Sequence, residues 1–323
     1  MDGILNINKP RNQTSFSIVA MVKRLSGERR VGHAGTLDPA ATGVLPVCLG
    51  QGTRIVEFLV NETKTYLAQI KLGIATDTYD GDGRITQEGD PSGISQAQLE
   101  AALDSFRGSI QQTPPMYSAL KHHGQPLYEL ARAGIKVERR SRTVKVHRLE
   151  LTSWQPPVAA VEVECGKGTY IRSLAHDLGQ SLGCGAHLMS LVRTRCGLFN
   201  IKDAISISQL EEAFRHGYWQ HFVYPIDIVL QHYSAIVVNN ATEDIIRKGN
   251  SLVLEHSGSL GVNGGSGQSH CRAYTLDGAS WVCSIMSRKR ESGTPKRYCF
   301  NFILSYPFPI LTSPSCVPPL LWR

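Results

Sequence analysis

The sequence predicts two domains, a mixed α+β domain over about 1–229 and a small β domain over about 230–290. Three observations carry this. The chain has 323 residues, more than a single domain of the usual roughly 100 to 200 residues holds. Strand-type alternation and helix-type periodicity interleave through its first two thirds. After Asp227 the pattern shifts to short β-like runs separated by turn-rich stretches. With 41% hydrophobic and 19% charged residues, the composition is that of a globular protein, neither disordered nor fibrous.

The elements follow in order. GILNINKP (3–10) reads as a strand, and a helix follows over about 15–25, because Thr14 and Ser15 can cap it and Phe16, Val19 and Val22 recur at helical spacing. Residues 31–50 form a Gly- and Pro-rich loop that ends in a buried strand over 44–49. Residues 65–72 alternate as a strand should. The acidic run TDTYDGDG invites a calcium reading, but counting from Asp77 puts Tyr79, Gly81 and Asp82 where ligand, ligand and Gly are required, so the EF-hand template fails. Ser95 caps an amphipathic helix to about 106, with Leu99, Ala102, Leu103 and Phe106 on one face. A strand over 158–165 precedes a helix over 170–182, in which Ile171, Leu174, Leu178 and Leu182 mark one face and Arg172 and His176 another. Another helix starts at Ser206 or Ser208. Beyond it come the linker-like GSLGVNGGSGQ and RAYTLDGASWVCSI, whose Leu-Asp-Gly centre reads as a hairpin. The tail, 291–323, is Pro- and Ser-rich yet apolar, shows neither periodicity and stays unassigned.

Several function classes are excluded. MDGILNINKP lacks the basic start, apolar run and cleavage site of a secretory signal. The apolar stretch 300–322 is broken by five prolines, against a membrane helix. Eight cysteines form no C-x-x-C pair, so neither a structural metal nor a disulfide framework is indicated. The expectation is a cytoplasmic protein.

Charge says more once it is located. The net charge is +7, and residues 107–148 alone carry nine Lys/Arg against two Glu, an excess of the same size. Tyr117, His122, His123, Tyr128 and His147 lie in the same stretch, a mixture suited to a phosphate backbone with bases stacked on rings. A solvated basic helix followed by a basic hairpin explains the charge equally well.

Individual candidates carry little alone. Asp38, before Pro39 in GTLDPAATG, is commonly a helix cap or turn residue, but a rigid loop beside a buried strand can also aim it into a cleft. His33 is an ordinary loop histidine or a ligand contact. CGKGTYIRSLAHDLG joins a strand to a helix; Gly166 and Gly168 fail the Walker spacing, so the turn presents Tyr170 and Arg172 instead. Arg172 is either a solvated cation or a carboxylate's partner. Tyr66, in KTYLAQIKLG, is a strand-packing aromatic or a catalytic group.

Together the strings GHAGTLDPAATGVLPVCLGQGTR, KTYLAQIKLGIATDTYDGDG, PPMYSALKHHGQPLYELARAGI, CGKGTYIRSLAHDLG and LGCGAHLMSLVRTRCG resemble the bacterial tRNA pseudouridine synthases of the TruB type, in order from Gly3 to about Ile228. The resemblance implies a pseudouridine synthase fold: a large mixed, mostly antiparallel sheet with flanking helices, followed by a PUA-type RNA-binding β domain. It implies isomerisation of uridine 55 in the T loop of tRNA, with the nucleotide flipped into a pocket and no cofactor or metal. Asp38 becomes the catalytic carboxylate, acting on the ribose C1′ or in forming a glycal. Arg172 becomes its ion-pair partner. Tyr66 stacks on the base with its hydroxyl available for proton transfer, His33 fills the gap in the T loop or contacts the flipped nucleotide, and Tyr170 and Leu191 line the pocket. The basic segment 111–148 is the insertion that closes over RNA, with Lys121, Arg132, Lys136, Arg139, Arg140 and Arg142 on phosphates. The tRNA is the only partner implied, for a monomer with no membrane association. Two alternatives stay open: a non-catalytic tRNA-binding or folding module, and a related synthase acting on another RNA.

Overall fold

The computed structural model describes residues 1–233, 235–239, 252–253, 269–275, 280–288 and 297–307. Strand β1 (Gly3–Lys9) leads into helix α1 (Ser15–Ser26), whose first turn is capped by the Thr14 hydroxyl accepting from the Ser17 amide at 2.9 Å. Strands β2 (Val31–His33) and β3 (Thr42–Leu49) enclose the loop that carries Asp38. After the short helix α2 (Val56–Asn61) come β4 (Lys64–Leu72), a small hairpin of β5 (Ile74–Thr76) and β6 (Ile85–Glu88), and helix α3 (Gln96–Asp104). The basic segment holds β7 (Gly108–Gln112), a two-residue hairpin of β8 (Lys121–His122) and β9 (Gln125–Pro126), and helix α4 (Leu127–Arg132). Then follow β10 (Arg142–Gln155), β11 (Val158–Cys165), α5 (Ile171–Ser181), β12 (Ala186–Cys196), β13 (Phe199–Asn200), α6 (Ile207–His216) and β14 (Val223–Tyr224).

One ten-stranded sheet organises these elements, in the order β14, β1, β3, β12, β4, β11, β10, β7, with β2 added at β3 and β13 at β12. Every pair is antiparallel except β3 with β12, which run parallel through Thr42 opposite Val192 and Gly43 opposite Arg193. That matches the expected mixed, mostly antiparallel sheet. The approach at Gly43 is close: a Cβ there would lie 2.2 Å from the Arg193 carbonyl oxygen, at φ +102°, so only Gly fits.

The pleat explains which side chains enter the core. In β4, Tyr66, Ala68, Ile70 and Leu72 are buried while Leu67 and Gln69 face solvent. Helix α5 lays Ile171, Leu174, Ala175 and Leu178 into the same core, and each such Leu contributes about 1.5–3 kcal/mol by burial. Pro46 is unexpected inside β3, since proline donates no ladder hydrogen bond. It is accommodated because Asn6, opposite it in β1, gives its carbonyl to the Ile205 amide (2.9 Å) while the Pro46 carbonyl accepts from Ala34 (3.0 Å).

Several elements revise or sharpen the sequence expectation. Strand β3 begins at Thr42 rather than at 44. The helix start left between Ser206 and Ser208 is settled by a capping box, in which Ser206 and Gln209 satisfy each other's backbone amides. In the basic segment the hairpin precedes the helix, and α4 contains a single basic residue, Arg132.

A second sheet joins β15 (Ala235–Val238), β17 (Ser269–Thr275), β18 (Ser280–Arg288), β19 (Arg297–Pro307) and β16 (Leu252–Val253), in that spatial order. Strands β17 and β18 pair antiparallel, as the hairpin reading requires; its Leu-Asp-Gly turn and the GSLGVNGGSGQ stretch lie outside the described residues. Strand β19 falls in the tail that sequence left unassigned. Tyr274 ties this sheet to the preceding chain by donating to Asp227 at 3.1 Å.

Candidate active site

The Asp38 loop is fixed from several sides. The Ser15 hydroxyl, at the start of α1, accepts from the Leu37 amide (2.9 Å) and donates to its carbonyl (3.1 Å). The Pro39 carbonyl accepts from the Asn12 amide (2.8 Å) and from Lys9 Nζ (3.3 Å). Lys9 is fully buried and also serves the Pro10 and Gln13 carbonyls. With both neighbours pinned, the Asp38 side chain has a defined direction.

That direction meets Arg172, from the first turn of α5. Arg172 Nη2 donates to Asp38 Oδ1 at 3.1 Å, and Nε stands 2.9 Å from Oδ2 as an ion-pair contact without hydrogen-bond geometry. The guanidinium also donates to the Tyr117 carbonyl (2.9 Å) and the Thr78 carbonyl (3.3 Å), and Asp80 Oδ2 lies 3.6 Å away. Burial pushes the Asp38 carboxyl above its ordinary range; the Arg172 charge opposes this and the Asp80 charge adds to it.

Asp38 and Arg172 border two adjoining hollows. The larger, about 360 Å³, is lined by Asp38, Tyr66, Tyr170, Arg172, Leu191 and Arg193 among others. The smaller, about 300 Å³, is bordered by Asp38, Asp80, Arg172 and Leu191. Tyr66 is nine-tenths buried, which pushes its phenol up to about 12, against the pull of the neighbouring Arg193 charge.

The five residues Asp38, Tyr66, Tyr170, Arg172 and Leu191 are therefore brought together. His33 is half-buried at the end of β2 and lines neither hollow. Lys121, Arg132, Lys136 and Arg140 are all exposed, Arg132 lying 5.5 Å over the Tyr128 ring. Arg139 and Arg142 are half-buried and have partners within the protein: Arg139 donates to the Pro114 carbonyl at 2.9 Å, and Arg142 bonds the Gly168 carbonyl and lies 5.0 Å over the Tyr170 ring.

Sequence reasoning missed three residues at this site. Asp80 sits in the acidic run that by sequence offers only a failed calcium loop, Lys9 reads as part of a strand, and Arg193 reads as one cation of VRTR. A Lys or Arg inside an otherwise apolar strand pattern was the available signal for the last two. Among the described residues no three His, Cys, Asp or Glu are grouped to hold a metal ion, and no helix is long and apolar enough to cross a membrane.

Comparison with known proteins decides the family. Residues 23–171 match the TruB family pseudouridylate synthase (N terminal domain), and residues 172–231 match the tRNA pseudouridylate synthase B C-terminal domain. The chain belongs to the TruB family. A tRNA pseudouridine synthase B of Dehalococcoides mccartyi is 48% identical over 254 residues, 79% of this chain and 84% of that protein. That of Symbiobacterium thermophilum is 49% identical over 213 residues, 65% and 71% of the respective chains. Among solved structures, a Cbf5-Nop10-Gar1 complex chain superposes with a TM-score of 0.70 at 26% identity, covering 94% of this TruB-family chain and 85% of its own. The pseudouridine synthase fold expected from sequence is thereby met.

Proposed function

We propose that this chain isomerises uridine 55 in the T loop of tRNA to pseudouridine, with Asp38 as the reacting carboxylate, Arg172 its ion-pair partner and Tyr66 the base-stacking residue. The observation that carries this reading is the Asp38–Arg172 pair at the mouth of a hollow lined by Tyr66. Converting uridine to pseudouridine breaks the N-glycosidic bond, turns the base in place and rejoins it through C5, with no redox change. The chemistry asks for a carboxylate at the ribose, a partner that keeps it ionised and aimed, and a face on which the detached base can turn. Membership of a family whose relatives are named tRNA pseudouridine synthase B supports tRNA as the substrate.

The remaining assignments follow the same reading. Residues 1–229 form the catalytic domain, with 111–148 as its RNA-closing insertion; Tyr170 and Leu191 line the nucleotide pocket, and His33 contacts the T loop outside it. The sheet after 230 is a PUA-type RNA-binding domain that extends to β19. The protein works as a cytoplasmic monomer. The deciding experiment maps pseudouridine in tRNA after incubation with the purified protein. Pseudouridine at position 55 is expected; tRNA binding with no pseudouridine at any position makes the chain a binding module instead.

A further inference from the structure

The root of the basic insertion grips the turn that carries Tyr170 and Arg172. Gln112, the last residue of β7, is 1% exposed. Its Oε1 accepts from the Tyr170 amide at 2.7 Å, and its Nε2 donates to the Tyr170 carbonyl at 2.9 Å. Next to it, the Thr113 carbonyl accepts from the fully buried Ser173 hydroxyl at 2.8 Å. These bonds fall on either side of Arg172, whose Nη2 donates in turn to the Tyr117 carbonyl of the same segment at 2.9 Å. Arg142, opposite Gln112 in the register of β7 and β10, bonds the Gly168 carbonyl at the start of the same turn.

A buried amide is costly unless its donor and acceptor are both used, and packing alone does not call for one. What Gln112 supplies is the donor and acceptor pair that a neighbouring strand would offer to Tyr170. Helix α5 needs it there. Tyr170 is its N-cap and makes no side-chain capping bond, so the first turn, from which Arg172 projects, lacks a local anchor. The Tyr170 carbonyl takes the Leu174 amide at 3.1 Å as the first helical bond, and the Gln112 amide fixes the direction in which that turn sets out. A displacement of about 1 Å at a reacting centre costs on the order of 10²-fold in rate, so the anchor matters for how Arg172 meets Asp38.

We infer that Gln112 is a positioning residue for pseudouridine formation, holding the turn of Tyr170 and Arg172 so that the guanidinium meets the Asp38 carboxylate and the Tyr170 ring stays in the wall of the hollow. This rests on the uridine-isomerising reading above and adds a residue that acts through α5 without touching the substrate. The consequence is electrostatic as well as geometric. Arg172 and Lys9 favour the ionised Asp38 carboxylate, whereas burial and the Asp80 charge oppose it. An Arg172 that no longer sits squarely on Asp38 leaves burial and Asp80 less opposed, and the carboxyl's pKa rises further.

The test compares wild type with Gln112→Met, which fills the same space and removes both bonds, reading single-turnover pseudouridine formation in tRNA across pH, tRNA affinity and the thermal midpoint. Gln112→Met is expected to slow turnover by about tenfold or more with tRNA affinity within about threefold, and to move the midpoint of the rate's pH dependence upward by about half a unit or more. A side chain that only supports the fold lowers the thermal midpoint and leaves the pH midpoint where it was; that result overturns the proposal, as does a normal rate or a loss of affinity as large as the loss of rate. Should Gln112→Met fail to fold, Gln112→Asn replaces it: it keeps the amide, is one methylene too short to make both bonds, and is expected to slow turnover by about fivefold or more with the same upward move. A normal rate or an unmoved pH midpoint in Gln112→Asn likewise overturns it. If wild-type protein forms no pseudouridine, the functional reading itself fails; if it does and the variant matches it in rate and pH midpoint, only the role of Gln112 fails.

Discussion

In the Asp38–Arg172 pair the buried member is the cation: the Arg172 side chain is 6% exposed and that of Asp38 40%. Arg172 is held by Asp38, the Tyr117 and Thr78 carbonyls and Asp80 together, whereas Asp38 offers its open side to the hollow. The guanidinium is thus part of the scaffold and the carboxylate is the group left available for chemistry.

Asp38→Asn keeps the shape and removes the reacting charge. Pseudouridine formation is expected to fall by about 10⁴-fold or more while tRNA affinity stays within about threefold. Although one side of Asp38 opens onto the hollow, desolvation by the protein around it and the Asp80 charge raise the carboxyl's pKa; the ionised form is the active one, so the wild-type rate should fall with decreasing pH through a midpoint above the ordinary aspartate value. Near wild-type turnover in the Asn variant removes Asp38 from the chemistry.

Tyr66→Phe keeps the stacking face and deletes only the hydroxyl; Tyr66→Leu deletes both. A hydroxyl role requires the Phe variant to lose about 10²-fold or more in single-turnover rate. The Leu variant should lose further through poorer holding of the base. Equal, near-normal rates in both leave Tyr66 as a packing residue of β4.

The Lys9 prediction concerns stability. Burial pulls its ammonium down to about 8 from 10.5, so between those values the unfolded chain binds more protons than the folded one. Stability contributed at this position therefore rises with pH from about 8 to 10.5. The three carbonyls around Nζ favour the ammonium and oppose burial, so the gain is at most about 3 kcal/mol. Urea unfolding at several pH values in this window, for wild type and Lys9→Met, should give wild type the steeper rise. Parallel curves rule the coupling out.

How far the site was legible follows from where each residue's partners lie. Asp38, Arg172 and Tyr66 stand in strings distinctive enough to be read without a fold. Asp80 does not, because an acidic turn acquires its role only from the guanidinium 92 positions later in the chain. Arg193 was hidden for a similar reason: its acceptors are backbone carbonyls on β3 and its loop, which no pattern of residue types records. Sequence places Arg139 and Arg142 among the phosphate-contacting cations, because charge is countable there, whereas their bonds to the Pro114 and Gly168 carbonyls are not. Strand β19 escaped notice because pairing with β18 on one edge and β16 on the other is a backbone property, independent of side-chain alternation.

The basic segment divides accordingly, and its test divides with it. Lys121, Arg132, Lys136 and Arg140 lie toward solvent and can reach phosphates, so neutralising them should weaken tRNA binding and flatten its salt dependence by roughly 0.7 to 0.9 log unit of slope for each phosphate no longer neutralised. Turnover of tRNA already bound should change much less. Arg142 is different: its removal frees the Gly168 carbonyl and uncovers the Tyr170 ring, so Arg142→Ala should lower the thermal midpoint and the single-turnover rate while leaving the salt slope nearly unchanged. Binding measured between about 50 and 200 mM salt separates the two groups. A slope unmoved by removal of all four solvent-facing charges makes this segment a solvated face and shifts the RNA-binding surface to the sheet beyond residue 230.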